Sequence, residues 1–491
     1  MTLADERLRE LDNPTLTEDE RALLRSQAAA DLIHKGQYEA AHDALGELWR
    51  GTGKRPNVEG LRDRTTAEVL LQAGVLSGWL GKLKGAQDAA KDLISESAAL
   101  FENLGESNRA AAARAESALC YWREGAYSEA RLILEQAAAN IRDDASLKAK
   151  TVLRFAMVET YAGRYSDAFH LLRDYAPLFN EDVSHTLRGS FHNELARVLR
   201  RLGAAEGRQD YHDRAIIEYT AAVYHAEQAQ HESYLARIEN NLAFLLYKLG
   251  RYRDAHKHLD RAQAIFTRLR DEGSLAQVHE TRARVLVAEQ RYRDAERTLS
   301  GAVKTLEQGD ASALLAEALT VQGVVWARLW EYQSSINVLR RAAELAESAG
   351  APTSAGLAVG ALIEEHGATW RLSPDEVYEA YMRADRLLKD TQEAEDIARL
   401  RACARVVMKR LTTVQFGDRN FTLPGAVHDF EAKLIERALE ETGGSLTKAA
   451  RLLGLTHQTL GSILNTRHKK LSPKRQPARK RLKSIIKKPE E

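Results

Sequence analysis

Eleven of the last twenty-five residues are cations: Arg467, Lys469, Lys470, Lys474, Arg475, Arg479, Lys480, Arg481, Lys483, Lys487 and Lys488. Against Glu490 and Glu491 they give this end a net charge of +9, while the other 466 residues sum to −8. The formal charge of +1 for the whole chain hides that asymmetry. Such an end is suited to an anionic polymer, gripped through phosphate contacts that add affinity without reading sequence. A second set is Asn193, Asn240 and Asn241. Each amide offers a donor and an acceptor, the two groups an extended peptide backbone needs. Aligning the turns at Gly203 and Gly250 sets Asn193 opposite Asn240, with Asn241 alongside and Arg237 as a neighbouring cation.

Other reactive residue types fall into no pattern. His185/His192, His225/His231 and His256/His258 lack the i, i+4 spacing of a helix-borne metal pair, so they read as surface residues. Cys120 and Cys403 are isolated, which suits a reducing compartment and offers no metal framework. Phosphate-binding loops of the GxxxxGK[ST] and GxGxxG kinds and the nucleophile elbow are absent. The expectation is a protein that is not an enzyme and uses no cofactor or metal. The first twenty residues hold seven acids and no apolar core, unlike a signal peptide, and no run of eighteen apolar residues appears. A soluble, cytoplasmic protein without a membrane partner is expected.

The elements that must position these residues are helices. The chain of 491 residues has 9 Pro, 7% aromatic residues and 29% charged residues, a composition that favours helix. A short pattern recurs: "GQYEAA" (36–41), "GKLKGA" (81–86), "GAYSEA" (125–130), "GRYSDA" (163–168), "GRYRDA" (250–255) and "QRYRDA" (290–295). Weaker copies are "QDYHDRA" (209–215) and "WEYQSS" (330–335), and the last three Tyr steps are 41, 40 and 40 residues. With Leu83 replacing the Tyr once and Gln290 the Gly once, Gly ends one helix in a left-handed or tight conformation, Tyr opens the next, and Ala lets two helices approach. Small residues recur ten positions after the Tyr at Ala137, Ala221, Ala262, Ala302 and Ala342. Amphipathic stretches such as "RIENNLAFLLYKLG" (237–250) precede the turns. Each unit is a helix pair that buries its apolar face only by stacking on its neighbours.

Over about residues 20–410 this pattern resembles the tetratricopeptide repeat, in the long-helix variant of MalT-type bacterial regulators. A ninth unit follows at "SPDEVYEAYMRADRLL" (373–388), with a Ser cap and Pro at the first helical position, and 393–411 closes the stack. The resemblance implies a right-handed all-α solenoid over residues 1–411, of about eight or nine helix pairs. In peptide-binding members Asn holds the ligand backbone, which makes Asn193, Asn240, Asn241 and Arg237 the groove candidates.

Residues 412–425 read as a linker with a small hairpin around a Gly-Asp turn. Three short helices follow within 426–471: 426–444 ended by paired glycines, 445–454 capped by Ser445, and 457–467. Gly454, Leu455 and Thr456 form the tight turn, Ala450 allows a close crossing, and Leu460 and Ile463 face inward. "KAARLLGLTHQTL" resembles the Fis-type helix-turn-helix found at the C-terminus of NtrC-class activators. The resemblance implies that Thr447 and Lys448 approach the DNA backbone. His457, Gln458 and Thr459 would face base edges, with Ser462, Asn465, Arg467, Lys469 and Lys470 further along. Gln458 suits adenine and Thr459 a thymine methyl. This sequence departs from the family in carrying Gly461 and Ser462 where bases are usual, and residues 427–466 sum to −1. The basic tail, 472–491, read as disordered, supplies the missing charge.

The sequence therefore reads as a bacterial transcriptional regulator: a solenoid that binds a peptide, protein or effector or self-associates, and a C-terminus that binds double-stranded DNA as a homodimer. The alternatives are an interaction scaffold whose C-terminal module docks a protein, and an RNA-binding adaptor using the tail.

Overall fold

The computed structural model describes residues 3–412 and 422–474, apart from residues 35, 82–84, 310, 370 and 392. Among the described residues every regular element is helical and none is a strand. The chain divides into two units, Met1–Leu411 and Thr412–Glu491.

In the first unit a short helix, α1 (Leu3–Glu10), precedes nine described pairs. These begin with α2 (Glu18–His34) and α3 (Tyr38–Leu45), α4 (Asp63–Leu80) and α5 (Ala86–Asn103), and α6 (Ser107–Arg123) and α7 (Tyr127–Asn140). Next come α8 (Ala145–Tyr161) and α9 (Tyr165–Tyr175), α10 (His185–Glu206) and α11 (Gln209–Gln228), and α12 (Glu232–Lys248) and α13 (Tyr252–Leu269). The last are α14 (Glu272–Ala288) and α15 (Tyr292–Gln308), α16 (Ser312–Arg328) and α17 (Tyr332–Ser348), and α18 (Pro352–His366) and α19 (Pro374–Leu388). Helix α20 (Ala394–Thr412) closes the unit. Most successive first helices touch one another, as in α12 with α14 and α16 with α18, and among the described residues they do so more extensively than the second helices. The stack therefore curves with its first helices inside.

The repeat motif works as the spacing suggests. Tyr38, Tyr127, Tyr165, Tyr252, Tyr292 and Tyr332 are each the first residue of a helix. At the turn before α13, Gly250 has φ +72°. There the Arg251 amide donates to the Leu246 carbonyl at 2.8 Å and the Gly250 amide to that of Tyr247 at 3.0 Å. These bonds satisfy carbonyls that the helix end would otherwise leave unpaired. Gln290 (φ +61°) and Trp330 (φ +71°) adopt the same conformation without being glycine, so the hydrogen bonds hold the turn even where a Cβ opposes it. Gly81 is an exception: its φ is −74°, and the left-handed residue of that copy is Gly85.

Ala137, Ala262, Ala302 and Ala342 are buried at helix crossings, but Ala221 is only half-buried and Ala222 takes its place. The cause lies in the weak copy "QDYHDRA", where the buried Ala215 follows its Tyr by four residues instead of three, which shifts α11 by one. Ser373 forms a full capping box with Glu376 at the start of α19, ahead of Pro374. Cys120 and Cys403 are buried free thiols, both pushed up to about 11 by burial.

The second unit holds α21 (Leu423–Glu441), α22 (Leu446–Leu452), α23 (His457–Thr466) and a 3₁₀ turn over Lys469–Lys474. The expected hairpin falls largely on residues 413–421, outside the described residues, and its last residues, Leu423–Gly425, are instead the first turn of α21. That helix starts early because the Thr422 hydroxyl caps it, accepting from the Gly425 amide at 3.1 Å. Residues 472–474, read as tail, belong to the 3₁₀ turn; residues 475–491 lie outside the described residues.

Candidate functional sites

In the C-terminal unit, Ile435, Ala438 and Leu439 of α21, Ala449 and Ala450 of α22, and Leu460 and Leu464 of α23 form a buried core. Leu464 fills a place the sequence reading gave to Ile463, which is half-buried. Such a core is small, so the turns carry much of the geometry. Between α22 and α23, Gly454 has φ +67° and the Leu455 amide donates to the Ala450 carbonyl at 2.8 Å. Ser445 stands at the N-cap of α22 but its side chain makes no capping bond. At α23 the cap is Thr456, whose hydroxyl accepts from the Thr459 amide at 3.1 Å and lies 2.8 Å from the Thr459 hydroxyl.

These contacts set what α23 presents. His457 and Gln458 are exposed in its first turn, and their side chains have no hydrogen-bond or ionic partner among the described residues. The Thr459 hydroxyl is engaged with Thr456, which leaves its methyl as the group for recognition. Ser462, Asn465, Lys469 and Lys470 are exposed, as are Thr447 and Lys448 in the first turn of α22. Arg467 is exposed but committed: its Nη1 lies 3.2 Å from Glu431 Oε1 on α21. His468, which sequence reasoning passed over, is buried against the same carboxylate, with Nε2 2.9 Å from Glu431 Oε2 and its ring 4.3 Å from that of His428. His468 and Arg467 together hold the Glu431 carboxyl below the usual carboxylate range. This node fastens the end of α23 to α21 across 37 residues, a separation that no local periodicity signals.

On the inner surface of the solenoid, the Asn241 amide lies 3.4 Å from Asn193 Oδ1. Asn193 therefore meets Asn241 and not Asn240, whose Oδ1 is buried without a hydrogen-bond partner. Gly203 is also no turn: α10 continues to Glu206 and ends on Gly207, φ +66°. Arg237 is exposed, 5.7 Å from the Tyr234 ring. Residues missed by sequence reasoning extend the stripe at helical spacing: Arg197, Arg200 and Arg201 on α10, and Phe244 and Lys248 on α12. Arg200 lies 5.5 Å and Lys248 5.6 Å from the centre of the Phe244 ring. The spacing 193, 197, 200 beside 241, 244, 248 was the available signal.

The histidines are not the free surface residues expected. His225 is buried, its Nδ1 2.9 Å from that of His185 and its ring stacked 5.4 Å from His192. Burial, with Arg188, His192 and His185 nearby, pushes its imidazole down to about 4. His192, His256 and His258 pair with Glu218, Glu289 and the buried Glu239 at 2.6, 3.0 and 2.5 Å. His231 caps α12, its ring accepting from the Tyr234 amide. Among the described residues no group of three or more His, Cys, Asp or Glu is arranged to hold a metal ion. No described helix is long and apolar enough to cross a membrane.

Residues 426–462 match the family model described as bacterial regulatory protein, Fis family, and residues 234–308 match that of the tetratricopeptide repeat. No curated protein matches the chain in sequence. Among solved structures it is similar to a Rap protein complexed with competence and sporulation factor. That match has 15% identity, covers 80% of this chain and 99% of the other, and has a TM-score of 0.49. It is also similar to the apo form of the quorum sensor NprR from B. thuringiensis, at 14% identity, 70% and 97% coverage and TM-score 0.47. A third is a signal transduction ATPase with a tetratricopeptide repeat sensor from Pyrococcus horikoshii, at 12% identity, 83% and 65% coverage and TM-score 0.47. The repeat unit is of tetratricopeptide type and the C-terminal unit carries a Fis-type helix-turn-helix.

Proposed function

We propose that this chain is a bacterial transcriptional regulator that reads DNA with α23 and senses a peptide or protein on the inner surface of its solenoid. The observation that carries the DNA reading is the unpartnered pair His457 and Gln458, exposed in the first turn of a capped helix that follows a tight turn, within a Fis-family match. An amide there has the geometry to pair with adenine N6 and N7, and the Thr459 methyl suits thymine. Lys448, Lys469 and Lys470 supply phosphate contacts that set register, and the basic tail adds charge that residues 427–466 lack. Arg467 reaches a phosphate only by leaving Glu431, so it contributes less than its position suggests.

One such helix reads a short half-site, so two copies are required. Helix α21 carries Leu423, Val427, Phe430 and Leu434, 44% to 68% exposed. Their 4-3-4 spacing is that of a coiled-coil seam, and a second copy of the same helix is the partner that seam fits.

Selection of bound fragments from a random double-stranded DNA pool, with the intact chain near physiological salt, tests the reading. An enriched palindromic site is expected, and Gln458→Ala with Thr459→Ala should abolish the preference while keeping weak, salt-sensitive binding. Retention of DNA with no enriched sequence would refute base reading by α23. No nucleic-acid effect at all would leave the interaction-scaffold function.

A further inference from the structure

The connection after α19 and the first turn of α20 carry "DTQEAED" (390–396), four acids and no cation. Its carboxylates meet the middle of the solenoid. The Tyr165 hydroxyl donates to Glu393 Oε1 at 2.8 Å, and Arg201 forms an ion pair with the same oxygen. Lys248 Nζ lies 2.5 Å from Glu395 Oε2. These partners precede the segment by 228 residues for Tyr165 and 147 for Lys248. Arg201 and Lys248 stand on α10 and α12, the helices that carry Asn193 and Asn241. Beside them, Arg200 adjoins Phe244 and has no carboxylate within ion-pair distance among the described residues.

We propose that Arg200, Arg201 and Lys248, with Tyr165 and Phe244, form a binding site for an acidic peptide, which the chain's own Glu393–Ala394–Glu395 fills in cis. This rests on the reading that the inner surface takes a peptide, and names the chemistry of that ligand: carboxylates two residues apart. Two cations on successive first helices engage Glu393 and Glu395, at the start of α20, so a ligand that replaces them must set two carboxylates against α10 and α12. The hold is exchangeable by construction. The Glu395 side chain is 55% exposed and Lys248 33%, and ion pairs so placed are individually weak. Tethering nonetheless keeps the segment at a high effective concentration. An acidic ligand must displace it, and its apparent affinity is lowered by the fraction of time the site is self-occupied.

The test uses the full chain and a fluorescein-labelled peptide of residues 390–398, DTQEAEDIA, with a control carrying Gln at both central Glu positions. Binding is read by fluorescence anisotropy to wild type, Glu393→Gln/Glu395→Gln and Arg201→Gln/Lys248→Gln, with circular dichroism confirming that each is folded. The expected result is that Glu393→Gln/Glu395→Gln binds the acidic peptide about fivefold or more tightly than wild type. The control peptide should fail, and loss of the cations should abolish binding. If Arg201→Gln/Lys248→Gln does not fold, Lys248→Gln alone should still weaken binding several-fold. Equal affinity of wild type and Glu393→Gln/Glu395→Gln would overturn the cis occupancy. Equal binding of the control would keep the peptide surface but remove its carboxylate chemistry. Binding of neither peptide to any form would sink the peptide reading itself. A single-stranded oligonucleotide that displaces the labelled peptide as effectively as unlabelled peptide does would make the site a general polyanion surface and overturn the proposal.

Discussion

Two glycines in helix interiors separate helix propensity from helix packing. Gly301 in α15 is exposed, and a Cβ added there meets no atom within 4 Å. Gly323 in α16 faces α17, and its added Cβ would stand 2.4 Å from Leu339 Cγ and 2.6 Å from Cδ2. Leu339 is fully buried, and the Ser335 hydroxyl of α17 donates to the Gly323 carbonyl at 2.6 Å, so neither helix can retreat without breaking that bond. Both Gly→Ala changes gain roughly 0.5–1 kcal/mol from reduced backbone freedom. Only Gly323→Ala must push Leu339 aside by about 1 Å to reach ordinary contact, an overpacking cost of about 1–3 kcal/mol. Gly301→Ala should therefore stabilise and Gly323→Ala destabilise, with a difference of about 1–3 kcal/mol between them. Urea unfolding followed by far-ultraviolet circular dichroism measures this, provided the slopes agree. Equal stabilisation by both would show that close approach at Gly323 does not set the α16–α17 crossing.

Three further outcomes follow from the geometry. Phe430→Glu should convert a dimer to a monomer in sedimentation equilibrium and weaken palindrome binding; an unchanged mass would place the self-association elsewhere. Deleting residues 472–491 should lower affinity for all DNA sequences alike and flatten the plot of log affinity against log salt by about 0.9 per lost phosphate contact; identical slopes would remove the tail from DNA binding. Burial, helped by Arg371 at His366 and by Arg188, His192 and His185 at His225, pushes both imidazoles from 6.5 down to about 4. Between those values the unfolded chain binds more protons than the folded one. Stability should thus be complete above pH 6.5 and fall as the pH drops toward 4, seen as a declining Tm that His225→Gln makes shallower; a flat Tm over that window would contradict the burial of these rings.

How much of this was legible in the sequence depends on distance along the chain. Helix starts and stops are decided within about five residues, by a Tyr at the first position, a capping Ser373 or Thr456, and a turn closed by two backbone bonds. A reader of the sequence can therefore place the repeats and α23. Residue types at helical spacing likewise assign Leu242 and Ala262 to the core and Gln458 to a surface. Registers between neighbouring helices are less secure: one extra residue in a weak repeat moved burial from Ala221 to Ala222, and Asn193 meets Asn241 where aligned turns set Asn240 opposite it. Contacts that depend on accumulated curvature were out of reach. Each pair adds a small rotation to the stack, and only their sum brings Glu393 and Glu395 to Tyr165, Arg201 and Lys248. The local pattern determined the parts; the superhelix, summed over hundreds of residues, decided which charges meet.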